Sequence, residues 1–198
     1  MRIDIDRWNH AQNTEFTHHQ DLQLGAYSHA SLIIAKYLEI DYKADFKDKV
    51  IVEVGAGPRG SILLTEGNFK RGIVVEPLID RWPSYIREDY EKIGVEIIAA
   101  PYEDLEIDEQ IDETWFFNVV QHVLDPQEQL EIAKKTSKVI RVFESIGSAT
   151  DDAHPHYITE ETFTEVLGDF GKVFKGETEY GFHSADCYYG TWYAPDNV

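Results

Sequence analysis

Lys49-Val50-Ile51-Val52-Glu53-Val54-Gly55-Ala56-Gly57-Pro58-Arg59-Gly60 runs from an apolar segment into three closely spaced glycines. Its Val/Ile-rich half reads as a buried strand. The glycines at 55, 57 and 60 then turn the chain sharply into a short helix from Ser61 to Phe69. A second strand, Gly72-Ile73-Val74-Val75, follows and ends at Glu76. Strand, glycine turn, helix, strand is the beginning of a parallel sheet.

The alternation continues downstream. Pro83 suits a first helical turn, and the helix it opens runs to about Ile93. Val95 to Ala99 reads as a third strand and Thr114 to Asn118 as a fourth. Asp125-Pro126 has the order of an N-cap followed by a first-turn proline; its helix runs to about Lys135, and Lys138 to Phe143 is a fifth strand. Thr159 caps a helix that carries Phe163, Val166, Leu167 and Phe170 on one face. Lys172 to Lys175 and Cys187 to Ala194 then have the β-favouring, aromatic content of two final strands without a helix between them, which predicts an antiparallel edge. Upstream, the chain is polar and weakly periodic to about Leu24, and Ala26, Ala30, Ile33, Ile34, Tyr37 and Leu38 recur at helical spacing. The expectation is one α/β domain over residues 1–198: a helical extension over 1–45 and a core over 46–198, its mostly parallel sheet covered by helices on both faces.

Gly55, Gly57 and Gly60 form a GxGxxG between strand and helix, which lets backbone amides approach a ligand where open α/β sheets bind nucleotides. A tight structural turn gives the same pattern. Glu76 adds a carboxylate at the end of the next strand, where it can accept both hydroxyls of a ribose. Nicotinamide dinucleotides and S-adenosylmethionine share this layout, and Glu53 separates them. A carboxylate two residues before Gly55 repels a pyrophosphate by several kcal/mol if both are desolvated, and it attracts an ammonium or sulfonium. The ordinary alternative for Glu53 is a carboxylate satisfied by local backbone amides.

Glu53-Val54-Gly55-Ala56-Gly57-Pro58, Glu76 and the run Asn118-Val119-Val120-Gln121-His122-Val123-Leu124-Asp125-Pro126 together resemble the class I S-adenosylmethionine-dependent methyltransferases. The likeness covers roughly 50–143, and the two final strands extend it. Arg59 departs from it, where many members have a glycine sooner. The resemblance implies a Rossmann-like sheet of seven strands, the last antiparallel, beneath an N-terminal helical lid that includes Tyr27 and His29. It also implies S-adenosylmethionine as cofactor. Glu53, Gly55, Ala56 and Gly57 line its methionine and ribose, Glu76 binds the ribose diol, and Pro77 and Leu78 pack on the adenine. Asn118 and Val119 flank the cofactor. Glu103 and Asp104 compete for the adenine amino group, with Glu103 preferred.

Methyl transfer is an in-line displacement that needs alignment, water exclusion and sometimes a base, so the lack of a recognisable triad does not argue against it. Base candidates are His122 after the fourth strand, Glu144 at the end of the fifth, and His154 and His156 in the following loop, because a near-neutral histidine suits deprotonation of a hydroxyl or amine. In the resembling family a histidine at the His122 position is often structural. His154-Pro155-His156 does not make a usual closed metal site and its other ligands cannot be picked out, so no metal is expected. His10, His18 and His19 read as surface or lid residues, and Trp8, Asn9 and Glu15 as lid residues. Tyr180, Phe182, Tyr188, Tyr189, Trp192 and Tyr193 are either substrate-pocket walls or edge-strand packing.

With 18 basic residues against 37 acidic ones, the net charge is −19. Such a surface mostly repels phosphates and makes nucleic acid a poor expectation as substrate. Asn118-Val119-Val120-Gln121 also differs from the Pro-Pro-aromatic run of DNA amino-methyltransferases. Cys187 is the sole cysteine, which excludes an internal disulfide and fits a reducing compartment. The sequence lacks both a long apolar run and a basic, apolar leader, so a cytoplasmic protein is expected. The functional expectation is methyl transfer to a small molecule, a hydroxyl of a sugar-like or other metabolite. The alternatives are a nicotinamide-dependent oxidoreductase and a non-catalytic cofactor-binding module; the sequence does not decide between monomer and homo-oligomer.

Overall fold

The computed structural model describes residues 1–19, 24–175 and 186–195, with the side chains of 24–27 left aside. Its helices are α1 (Ile5–His18), α2 (Leu24–Leu38), α3 (Ser84–Lys92), α4 (Pro126–Thr136) and α5 (Glu160–Leu167). Its strands are β1 (Val50–Val54), β2 (Arg71–Val75), β3 (Val95–Ile98), β4 (Ile111–Phe117), β5 (Ser137–Ile146), β6 (Gly171–Phe174) and β7 (Asp186–Tyr193). All seven strands join one sheet in the order β3-β2-β1-β4-β5-β7-β6. β1 to β5 pair in parallel, and β7 runs antiparallel between β5 and β6. The seven-stranded Rossmann-like sheet with its last strand reversed is as expected.

Alternate residues of each strand serve opposite faces, and both faces are buried. Val52, Ile73, Phe116 and Ile140 pack with Leu130 of α4 and Phe163 of α5. Ile51, Val74, Trp115 and Phe143 pack with Ile33 and Ile34 of α2 and Ile86 of α3. The aromatic strand β7 belongs to this packing: Tyr188 is buried and stacks on Phe163 at 4.8 Å between ring centroids, and Tyr189 meets Tyr37 edge-on at 5.1 Å. The thiol of Cys187 is buried in the same region, which pushes its pKa up to about 11. Tyr180, Phe182 and the side chain of Tyr27 lie outside the described residues.

Local expectations change at two places, the turn after β1 and the start of α3. The short helix expected from Ser61 to Phe69 is a single 3₁₀ turn over Ser61–Thr65, because Glu66 (φ +53°) and Gly67 (φ +83°) take left-handed backbone and stop it. The polar N-terminal stretch, which shows little periodicity, forms the 14-residue helix α1. Asp4 caps it, its side chain accepting from the Arg7 amide at 2.8 Å, and the helix buries Trp8 and Ala11. Asp125 caps α4 with Pro126 in its first turn, and Thr159 forms a capping box with Thr162 on α5. Pro83 stands one place earlier than expected, at the N-cap of α3. Among the described residues, no helix is long and apolar enough to cross a membrane.

Candidate functional site

Strand order reverses between β1 and β4: β2 and β3 lie to one side, β5, β7 and β6 to the other. The loops leaving β1 and β4 therefore diverge, and open α/β sheets bind ligands in that crevice. Here it is a cavity of about 650 Å³ lined by the glycine turn, the ends of β2 and β4, and residues of α1 and α2.

Gly55 has φ +59° and lies against Val119: a Cβ there would meet Val119 Cγ2 at 2.1 Å. Gly57 has φ +60° and open space where a Cβ would go. The turn is held from below by Tyr90 of α3, whose hydroxyl accepts from the Gly60 amide at 2.6 Å and donates to the Gly57 carbonyl at 3.1 Å. Tyr90 has no distinguishing sequence signal beyond its apolar helix position.

Glu53 lines the cavity, with its oxygens turned to the backbone: Oε1 accepts from Ser61 N and Oε2 from Ile62 N, each at 2.8 Å. Those amides begin the 3₁₀ turn, so Glu53 acts as a clamp on the loop. This is the arrangement in which local amides satisfy the carboxylate. Burial pushes its pKa up to about 7 against the pull of the two amides. Glu76 crosses to the glycine turn, Oε2 accepting from Gly57 N at 2.7 Å and Oε1 from Leu78 N at 2.8 Å. It is likewise buried and its pKa raised by burial. Each carboxylate oxygen has two lone pairs, so Glu76 retains acceptor capacity toward the cavity.

At the far end, Glu103 lines the cavity while Asp104 is exposed to solvent. Glu103 Oε2 accepts from Gln129 Nε2 at 2.9 Å, and Gln129, on α4, also lines the cavity with its buried Oε1 lacking a partner. The indole Nε1 of Trp82 is a second buried, unpartnered polar atom on a cavity-lining residue. Neither Gln129 nor Trp82 stands out in the sequence. Ala56, Pro77, Asn118 and Val119 all line the cavity. Asn118 is left-handed (φ +57°), and its amide donates to Phe143 O at 2.8 Å, so it leaves β4 in a sharp bend.

The four base candidates separate. His122 is buried in the cavity wall; its carbonyl accepts from Trp8 Nε1 and Gln12 Nε2, both at 3.1 Å, which ties α1 to the β4 loop. Its Nδ1 lies 3.0 Å from Ala153 O, and burial lowers its pKa. His154, itself absent from the cavity lining, packs beside it, ring centroids 4.7 Å apart, with its Nδ1 2.9 Å from both Asp151 oxygens. Glu15 of α1 lies 3.9 Å from His122 Nδ1 and accepts from His19 Nε2 at 2.5 Å. Burial works to raise the Glu15 carboxyl, and its histidine neighbours outweigh that and hold it at about 2.

Glu144 and His156 are placed elsewhere, which corrects their expected role. Glu144 is fully buried and accepts from Val119 N at 2.8 Å and Val120 N at 3.3 Å, with burial pushing its pKa up to about 8. It holds the β4 loop and is absent from the cavity lining. His156 Nε2 bonds the Val123 carbonyl at 2.8 Å behind that loop and is likewise absent from the lining. Tyr188, Tyr189, Trp192 and Tyr193 do not line the cavity either.

No protein-family model and no curated protein sequence matches the chain. Solved structures match it by fold. One is the 1,6-didemethyltoxoflavin-N1-methyltransferase of Burkholderia thailandensis, with S-adenosylhomocysteine bound: TM-score 0.64 and 14% identity over 98% of this chain and 93% of that one. A second is a phosphoethanolamine N-methyltransferase of Haemonchus contortus, also with S-adenosylhomocysteine: TM-score 0.66 and 13% identity over 96% of this chain and 50% of that one. A third is the [4+2]-cyclase SpnF, with TM-score 0.63 and 12% identity over 83% and 79%. With its strand order, its reversed β7 and these likenesses, the chain has the fold of the class I S-adenosylmethionine-dependent methyltransferases.

Proposed function

We propose that the protein binds S-adenosylmethionine in the cavity and transfers its methyl group to a small-molecule acceptor, a hydroxyl of a sugar-like or other metabolite. The observation that carries this reading is Glu76 at the end of β2, buried, braced by the Gly57 and Leu78 amides and facing the cavity at the reversal of strand order. A ribose diol meets the acceptor capacity left on that carboxylate. The buried, unpartnered Gln129 Oε1 and Trp82 Nε1 offer an acceptor and a donor to a polar ligand, and buried polar groups are ordinarily paired. A purine carries both kinds of group.

When bound, S-adenosylmethionine supplies an electrophilic methyl on a sulfonium. The chain supplies position and exclusion of water. Glu76 orients the ribose and Glu103 with Gln129 the adenine. Glu53 keeps the loop shaped and places negative charge beneath the cation, and Asn118 and Val119 close the side toward β4. Helix α1 roofs the acceptor end, where His122 is the buried base with lowered proton affinity, suited to accept the hydroxyl proton.

The fold is shared with a cyclase, so binding is tested directly. Calorimetry should show S-adenosylmethionine and S-adenosylhomocysteine binding at one site per chain, and Glu76→Ala should weaken both by about 1–3 kcal/mol. A folded sample that binds neither ends this reading.

A further inference from the structure

Three side chains from separate parts of the chain meet beside the cavity: Glu15 of α1 and His122 of the β4 loop, which line it, and His154 of the loop after β5, which packs against His122. One nitrogen of each ring and one carboxylate oxygen of Glu15 lie within 4.8 Å of one another. Two histidines and one carboxylate form a donor set suited to divalent transition ions.

The surroundings of the three groups carry the argument further. A backbone carbonyl only accepts, so the 3.0 Å contact of His122 Nδ1 with Ala153 O puts the proton on Nδ1, the nitrogen that Glu15 Oε2 approaches at 3.9 Å, and leaves the lone pair on Nε2 as the atom able to ligate. Asp151, with both oxygens 2.9 Å from His154 Nδ1, does the same for the second ring. His19 Nε2 lies 2.5 Å from Glu15 Oε1 and leaves the other oxygen available. Each of the three groups is thus oriented by an outer partner, two of them in the His–carbonyl and His–carboxylate arrangements that accompany metal-ligating imidazoles. The loop itself is built for this: Asp151 also accepts from the amides of Ala153 and His154 at 2.8 Å, and Arg7 of α1 donates to the carbonyls of Asp151 and Asp152.

We propose that Glu15, His122 and His154 bind one divalent transition-metal ion, of the Zn²⁺ or Co²⁺ class, at the acceptor end of the cavity. Ligand atoms around such an ion at 2.0–2.1 Å stand roughly 3.3 Å apart, so ligand atoms that now lie within 4.8 Å of one another close by up to about 1.5 Å on binding. Glu15 and His122 line the cavity, so a fourth position is reached from it. An acceptor hydroxyl held there is more acidic than in water; that consequence alone rests on the proposed methyl transfer, and His122 then serves as a ligand in place of a base.

The test is a titration of the chelator-treated full chain with Co²⁺, followed by calorimetry and by the visible ligand-field absorption of the protein-bound ion. One saturable Co²⁺ per chain with a low-symmetry spectrum is expected, displaced by Zn²⁺. Glu15→Gln and His154→Gln should each weaken it at least tenfold; His154 sits on a loop and is partly exposed, so its replacement leaves the core intact. Absence of saturable Co²⁺ binding, or binding equally strong in both variants, overturns the proposal. S-adenosylmethionine affinity measured on the same chelated samples keeps the two readings apart: its loss bears on the cofactor site, and its retention without Co²⁺ binding removes the metal site alone.

Discussion

Gly55 and Val119 touch across the point where strand order reverses, so closely that a Cβ on Gly55 would lie 2.1 Å from Val119 Cγ2. The first loop of the site is therefore seated directly on the fourth strand's exit. Gly55→Ala takes on a left-handed backbone cost of about 1–2 kcal/mol and an overpacking cost of about 1–3 kcal/mol. Gly57→Ala has the same backbone cost with nothing within 4 Å of the added atom. Urea denaturation should show Gly55→Ala the less stable variant, and Val119→Ala should recover part of its loss. Gly57→Ala should keep most of its stability and lose S-adenosylmethionine affinity, because its methyl group enters the cavity. Equal stabilities for the two glycine variants would refute the contact.

Glu144 predicts a pH dependence of stability. Its folded pKa is raised by burial to about 8 from an ordinary 4.5. The folded state thus holds the proton more tightly than the unfolded chain. The resulting stabilisation is complete below about pH 4.5 and is lost as pH rises through about 8. Glu144→Gln keeps a carbonyl for Val119 N and cannot ionise. Each tenfold change in proton affinity is worth roughly 1.4 kcal/mol, readable in a urea midpoint. The variant should lie close to the parent at pH 5 and become more stable than it by pH 9. Parallel stability curves would show that Glu144 does not titrate in this range. Glu53 and Glu76, raised in the same direction, remain in both proteins, so the difference isolates Glu144.

The succession of strands and helices and the loops that line the cavity were legible because they depend on local patterns: a Val/Ile run into a glycine turn, a carboxylate ending β2, an Asp-Pro opening α4. What the sequence hid was set by tertiary contacts. Helix α1 has almost no apolar stripe and is held by a few anchors, Trp8 and Gln12 on the His122 carbonyl and Arg7 on the 151–152 carbonyls. Glu53 and Glu144 were readable as acids at strand ends, but whether their oxygens face a ligand or a backbone amide depends on loops whose path no periodicity describes. Tyr90 and Gln129 are buried side chains on α3 and α4, and only the folded chain shows that one clamps the glycine turn and the other meets Glu103. The Glu15–His122–His154 meeting joins a carboxylate to two histidines more than a hundred positions further along the chain.

The adenine end gives a contrast between neighbours. Glu103 faces the cavity with Gln129 on it, and Asp104 faces solvent. Gln129→Leu removes a buried acceptor and frees Glu103 Oε2 from its partner. One hydrogen bond is worth about 1 kcal/mol, so S-adenosylhomocysteine affinity should fall about five- to tenfold, while Asp104→Asn should leave it unchanged. The preference for S-adenosylhomocysteine over its inosine analogue, which lacks the amino group, should fall with Gln129→Leu or Glu103→Gln. An unaltered preference in both would place the base elsewhere in the cavity. Competition calorimetry reads all of these.

Glu53 predicts that cofactor binding moves a proton. Its carboxyl, raised to about 7 by burial with Glu76 adding to the rise, is partly protonated in the free protein at neutral pH. A sulfonium and an ammonium bound above it favour the ionised form and lower that pKa. Binding therefore releases a fraction of a proton near pH 7, and affinity tightens as pH rises from 6 to 7.5 and levels off where Glu53 is already ionised. Calorimetry in two buffers of different ionisation enthalpy measures the released proton. Glu53→Gln should abolish the release; its amide keeps an acceptor for one of the two amides at Ser61 and Ile62 but opposes the other, so its melting temperature should fall as well. Heats that are independent of buffer, with tight binding intact, would mean that the cofactor's charge lies out of reach of Glu53, and the carboxylate's role would then be confined to holding the loop.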